Sequence, residues 1–282
     1  MFMRPTLLSL VAALSSSGLV ACVGAAPDSG IDSGAETTSS TATAIVAVER
    51  TLGPGDAVRG DAVIARFVRV KQGPVDDPAL RMAGVAEDIP VPGACFEPSE
   101  TAPVVQGRSV ELLDVGQIVL TSDDAKSTLL LPRSMPDPAG VVSGVIYSSR
   151  SADVFSSGTR VSLRSNGGAD LLDGFSVSAM APRDVSDVHV TSVPSGLDVS
   201  WDAEGADPHD LVYVDVLSPA PRVAMRCTSI DGGHLLVPAG SIAGIDEGQL
   251  AVHRLHKESF KAKGIEPGEV RFDVAKIVSF RR

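Results

Sequence analysis

The sequence predicts an all-β protein: two β-sandwich-like domains behind a signal peptide and a disordered tether. Three observations predict it. Apolar runs are short and punctuated, and 27 Gly and 19 Pro in 282 residues favour many turns over long helices. Several runs alternate with a period of two. Val161 and Leu163 oppose Arg160, Ser162 and Arg164, and Phe175, Val177 and Ala179 oppose Ser176 and Ser178. Such alternation marks strands with one wet face. The hydrophobic content of 44% includes only 4% aromatic residues, so the cores are expected to be aliphatic.

The chain opens with Arg4, then an uncharged apolar or small stretch over 6–21, then Cys22. The stretch is shorter than the roughly 20 residues a membrane span needs and fits the apolar region of a secretory signal. Leu19-Val20-Ala21-Cys22 resembles the lipobox of bacterial lipoproteins. That resemblance implies a diacylglyceryl thioether on Cys22, cleavage before it, and acylation of the new amine. Each buried methylene contributes about 0.8 kcal/mol and a single chain binds only marginally, so two or three chains would be needed to hold a protein firmly. Val23 follows the cysteine, where Asp would retain an enteric lipoprotein at the inner membrane. The expected location is therefore the cell envelope, lipid-anchored at the outer membrane. The periplasmic and surface faces are both open.

Residues 22–43 carry no aromatic residue, and Ile31 is their only large aliphatic one. A segment of that composition cannot bury enough apolar surface to order itself. It reads as a tether with a mean reach of about 25 Å.

Residues 44–186 read as a β-rich domain. Strands are expected at 44–48, 62–71, 109–112, 117–121, 127–131, 141–148, 160–164 and 175–180, with turn signals such as Pro92-Gly93 and Asp173-Gly174 between them. The one helix expected in this stretch is 78–87, interrupted by Gly84.

Residues 187–282 give seven expected strands: 187–191, 197–201, 211–217, 222–229, 234–237, 249–256 and 271–281, with one helical turn at 241–245. Leu197, Val199 and Trp201 share a face. Phe272, Val274, Val278 and Phe280 share another, interrupted by Lys276. A Trp strand, an acidic loop and a strand with Tyr213 resemble a fibronectin type III or immunoglobulin-like sandwich. The resemblance implies about 100 residues in seven strands and leaves function open.

Net charge is −11. The expected signal holds one Arg and no acid, so the chain without it carries −12, which argues against a nucleic-acid partner. Residues 250–282 hold eight Lys or Arg against four Asp or Glu. That basic end either complements the acidic remainder or meets anionic headgroups. With Cys22 lipidated, Cys95 and Cys227 remain as an even pair in an oxidising compartment. A bridge between them would tie the first domain to the second; the alternative is two unbridged thiols.

No nucleophile elbow, zincin helix, phosphate loop or C-x-x-C motif is present. His253 and His256 have H-x-x-H spacing, but on a strand they point to opposite faces. Asp202, Glu204, Asp207 and Asp210 are candidate oxygen ligands for calcium. Their spacing matches no defined calcium loop, and a solvated acidic turn explains them. Asn166, Asp170 and Asp173 form a similar polar turn. No cofactor is expected.

The function expected is a non-enzymatic binding or surface-interaction module, held to the membrane through lipid on Cys22 and meeting a protein or glycan partner through its loops. The alternatives are an envelope hydrolase or carbohydrate-active protein with dispersed acids, and a structural assembly subunit with pairing edge strands.

Overall fold

The structure is a computed structural model. It describes residues 42–70, 80–81, 83–85, 88–98, 110–124, 126–135, 142–151, 154–217 and 222–282. The lipobox and residues 22–41 of the expected tether lie outside the described residues, as does half of the expected helix at 78–87. Of that helix Leu80 and Arg81 are helical, and Ala83-Gly84 form a turn.

The first nine strands are β1 (Ala42–Leu52), β2 (Val58–Val70), β3 (Cys95–Phe96), β4 (Val110–Leu112), β5 (Ile118–Ser122), β6 (Ser127–Met135), β7 (Val142–Ser151), β8 (Arg160–Ser165) and β9 (Phe175–Met180). Seven follow: β10 (His189–Val193), β11 (Gly196–Ser200), β12 (Leu211–Leu217), β13 (Val223–Ile230), β14 (His234–Pro238), β15 (Glu247–Ala262) and β16 (Ile265–Arg281). The fold is all-β and sandwich-like. β1 begins two residues inside the expected tether, at Ala42. A 3-10 turn at Ala239–Ile242 stands close to the helical turn expected at 241–245.

One sheet of thirteen strands runs β3-β13-β12-β15-β16-β1-β2-β4-β7-β6-β5-β8-β9, and a second contains β10-β11-β14. The long sheet turns a corner at β6. Ser127–Leu130 pair with β5, whereas Leu131–Met135 pair with β7. A strand that changes partners this way makes the edge between two layers. The β5-β6-β8-β9 layer therefore shares a core with β1, β2, β7 and β16. That core takes Val46 and Val48 of β1, Phe67 of β2, Leu120 of β5, Leu163 of β8, Val177 of β9 and Phe272 of β16. β9 also meets β15, where the Met180 N–H donates to Glu258 Oε2 at 2.9 Å.

The second core lies between β10-β11-β14 and the β13-β12-β15-β16 part of the long sheet. Leu197, Val199 and Trp201 face Val212, Val214 and Val216 of β12, with Cys227, Leu250, Val252 and Phe280. Trp201 is buried, as the alternation in its strand requires.

Residues 44–186 and 187–282 are continuous across the long sheet. β16 pairs in parallel with β1 from Ile265 to Lys276, and β15 and β16 form one hairpin through Lys263-Gly264. Gly264 has φ +77°, the left-handed value that favours glycine at this turn. The root of the hairpin supplies Leu250, Val252 and Phe280 to the second core, while its tip supplies Phe260, Ile265, Val270 and Phe272 to the first. Residues 39–282 accordingly make one compact unit.

Cys95 and Cys227 form a disulfide. It lies on the β3–β13 ladder, where these two residues are register partners. The bridge ties β3 to the β13 edge of the long sheet, with Cys227 buried in the second core. Nearby, Ala83 packs with Val68, Val110, Leu112 and Val142 in a small satellite cluster.

Candidate functional site

The inward face of β1 reads Ala44, Val46, Val48, and then Arg50. That of β15 reads Leu250, Val252, then Arg254 and His256, and that of β16 carries Lys276 between Val274 and Val278. Apolar alternation stops where the strands leave one core and resumes in the next. The seam between the cores is built from these charges and their partners.

Each seam cation has a fixed acceptor. Arg50 makes a two-pronged ion pair with Asp61, at 3.0 Å from Nε and 2.8 Å from Nη2, and its guanidinium lies 3.9 Å from the centroid of the Phe155 ring. Asp61 also accepts the Val154 N–H at 2.8 Å. Arg254 Nε donates to Asp231 Oδ2 at 2.5 Å, and its two Nη atoms donate to the carbonyls of Arg183, Asp184 and Asp202. The other oxygen of Asp231 accepts the Trp201 indole N–H at 2.6 Å. Lys276 donates to the Gly53 carbonyl at 2.7 Å and to Asp56. His256 Nδ1 lies 2.6 Å from Asp210, whose hydrogen bond raises the imidazole above its ordinary pKa. Charged hydrogen bonds of this kind satisfy groups that are otherwise costly to bury.

A cleft of about 520 Å³ opens at this seam, lined by loop residues 157–158, 183–186 and 202–204, with Arg254 at its floor. Asp184 stands in its wall. Burial raises its pKa despite the Arg50 guanidinium, whose Nη1 lies 3.5 Å from Oδ1. That oxygen is buried without a hydrogen-bond partner. Asp202 and Glu204 share the cleft, and Arg183 Nη1 reaches the Glu204 carbonyl at 3.5 Å. A carboxyl that keeps its proton above the ordinary range can donate it, and a second acid across a cleft can complete such chemistry.

A second network covers the outer face of the same strands. His253 Nδ1 lies 2.9 Å from Asp273 Oδ1, and Tyr213 donates its phenol to the other oxygen of that carboxylate. The His253 and Tyr213 rings stack with centroids 4.2 Å apart. Arg226 lies over the opposite side of Tyr213 and pairs with both oxygens of Asp215 at 2.7 Å. Burial opposes the charge on His253, but Asp273 and Asp215 outweigh it and raise its pKa. Val85 and Asp88 reach this face, where their carbonyls accept from Arg271 and Arg226.

The sequence-predicted residues fall as follows. Cys22 lies outside the described residues. His253 and His256 stand on opposite faces of β15 and serve different carboxylates. Asp202, Asp207 and Asp210 fold the acidic loop on itself, accepting the N–H groups of Glu204, His209 and Asp207. Asp170 bonds the Asp114 N–H at 2.7 Å, and Asp173 pairs with Lys263. Among the described residues, no three His, Cys, Asp or Glu side chains form a group able to hold a metal ion.

Asp184 and the ion pairs of the seam were not singled out from sequence. Their signal was present: Arg50, Arg254 and Lys276 are charges at inward positions of otherwise apolar strands. No family model matches the chain, and no curated protein matches it.

Proposed function

We propose that the chain is a lipid-anchored cell-envelope protein whose all-β body is a non-enzymatic binding module for a protein or glycan partner. The lipobox at Leu19-Val20-Ala21-Cys22 and the apolar-poor stretch after it support the anchor and the tether. Three strands face four around Trp201 in residues 187–282, which supports a fibronectin type III or immunoglobulin-like reading of that part. The observation that carries the binding reading is the seam. Arg50, Arg254, Lys276 and His256 are each committed to a fixed acceptor at the seam. The result is a rigid platform whose free chemistry lies on its surface.

The anchor is tested by labelling cells with radioactive palmitate. Wild type is expected to take up label and to stay with membranes, and Cys22→Ala is expected to lose both properties. A wild type without label would sink the anchor.

One observation favours a second reading, a hydrolase: the carboxyl of Asp184 in the seam cleft, raised by burial although the Arg50 guanidinium stands 3.5 Å from it. A panel of glycoside and ester substrates separates the two. Turnover that disappears in Asp184→Asn, with folding intact, would replace the binding reading with the hydrolytic one.

A further inference from the structure

The outward positions of β8 are Arg160, Ser162 and Arg164, and both arginines are exposed. Among the described residues, neither arginine makes an ion pair or a side-chain hydrogen bond. The outward positions of the flanking strands β5 and β9 are neutral: Val119, Thr121, Ser176, Ser178 and Met180. The sequence carries 35 acids against 24 Lys and Arg. In such a protein a face with two unpaired guanidinium groups, where Asp123 stands just past the end of β5 beside Arg160, is a local reversal of charge. It is complementary to an anionic occupant.

Hydroxyl groups cross this face in a row. Ser127 of β6, Thr121 of β5, Ser162 of β8 and Ser178 of β9 are successive register partners. The Ser162 and Ser178 hydroxyls lie 2.8 Å apart. Arg164 stands between two shallow grooves. One, of about 510 Å³, holds Gln117, Thr121 and Asn166; the other, of about 520 Å³, holds Asn166 and Ser176. Amide and hydroxyl groups offer both donors and acceptors, which suits the hydroxyls of a sugar. A guanidinium fork suits a carboxylate or sulfate. Arg160 and Arg164 are four residues apart on one strand, roughly 13 Å. That spacing suits charges that recur along a polymer better than one small anion held by both.

We propose that the outer face of the β6-β5-β8-β9 layer binds an acidic polysaccharide, with Arg160 and Arg164 taking its anionic groups and the hydroxyl row and groove amides taking its sugar hydroxyls. This rests on the binding-module reading and names its ligand class. The apolar exposure of Leu129 and Met180, each 40%, lies beside the arginines rather than between them in register, where Val119 and Ser176 flank Arg164 and Ser178 flanks Ser162. A lipid surface is therefore the competing occupant and an arm of the test.

The test is calorimetric titration of residues 22–282, carrying Cys22→Ser to remove the lipid, with polygalacturonate at low ionic strength. Wild type is expected to bind the polymer and to ignore neutral dextran. Arg160→Gln and Arg164→Gln are expected to weaken binding roughly tenfold each. Lys261→Gln combined with Lys263→Gln removes equal charge from an exposed hairpin tip and should change nothing. Both arginines are exposed, so the variants should melt as wild type does. The proposal fails if polygalacturonate does not bind, if dextran binds equally, or if the arginine variants bind as wild type. It fails also if phosphatidylglycerol vesicles, and not the polymer, bind in an arginine-dependent way. Arginine-dependent binding with progressive shortening of the polymer would support this face while overturning the non-enzymatic reading.

Discussion

The Arg254 guanidinium and the Asp231 carboxylate meet at 2.5 Å with both side chains 1% exposed. Around them converge Trp201, the carbonyls of 183, 184 and 202, and both walls of the seam. Arg254→Met would strand the Asp231 charge and remove the donor from three carbonyls. The expected loss is about 3–5 kcal/mol, the usual result of breaking a buried pair from one side. Urea unfolding followed by Trp201 fluorescence reads it directly. A loss below about 1 kcal/mol would mean that water takes the place of the guanidinium.

The disulfide between Cys95 and Cys227 spans 132 residues. Closing so long a loop restricts the unfolded chain, and replacing both cysteines with Ala should cost about 2–4 kcal/mol. Because the bridge fixes β3 at the edge of the long sheet, amide exchange should quicken in residues 88–98 first. Uniform exchange changes across the whole molecule would contradict that local role.

His253 and His256 both hold their protons to higher pH in the fold than in the unfolded chain, through Asp273 with Asp215 and through Asp210. Their contribution is complete below the unfolded value of roughly 6.5 and is lost as pH rises through the folded values. The melting temperature should therefore fall as pH is raised above the ordinary histidine value. Replacing both with Gln should flatten that slope. A slope of the same size in the double variant would assign the effect to other groups. Asp184 acts in the same direction, since a carboxyl raised by burial loses favour as it ionises. The cost sets in as pH rises from the ordinary carboxylate range, so Asp184→Asn should raise the melting temperature already at neutral pH.

Gly196 opens the Trp strand with φ +147°, and a Cβ there would stand 1.9 Å from the Val237 carbonyl oxygen. Gly196→Ala must either part the β11–β14 ladder or twist its start. The expected cost exceeds about 1 kcal/mol, read by thermal melting. Gly60→Ala meets nothing within 4 Å and serves as the mild comparison.

Strands with one wet face were legible because their alternation is local. β8 and β9 stand within a residue of their expected bounds for that reason. The hairpin tip was not legible. Residues 257–270, with Pro267 and two glycines, lie between the expected strands 249–256 and 271–281, and apart from the turn at 263–264 they extend both strands, with β1 offering its open edge to β16. β3 is two residues long and exists only as a partner for β13. The Trp201 face was readable from Leu197 and Val199. Lys276 was readable as an interruption but not as a join, because its acceptors come from residues 53 and 56, more than 200 positions earlier. The arginine face was half visible: the alternation around Arg160 and Arg164 marks a wet side. The hydroxyl row depends on the register of four strands, which no local pattern carries.

The place of β1 has a mechanical consequence. It lies between β16, running the same way, and β2, running the opposite way, over nearly its whole length. A pull on the chain ahead of Ala42, with the body held at its far end, loads β1 along its own axis. The hydrogen bonds on both flanks then share the load in shear and must fail together, where a terminal hairpin would be peeled open one bond at a time. A body joined to its surroundings at that end resists drag and tugging by a strand clamped on both flanks.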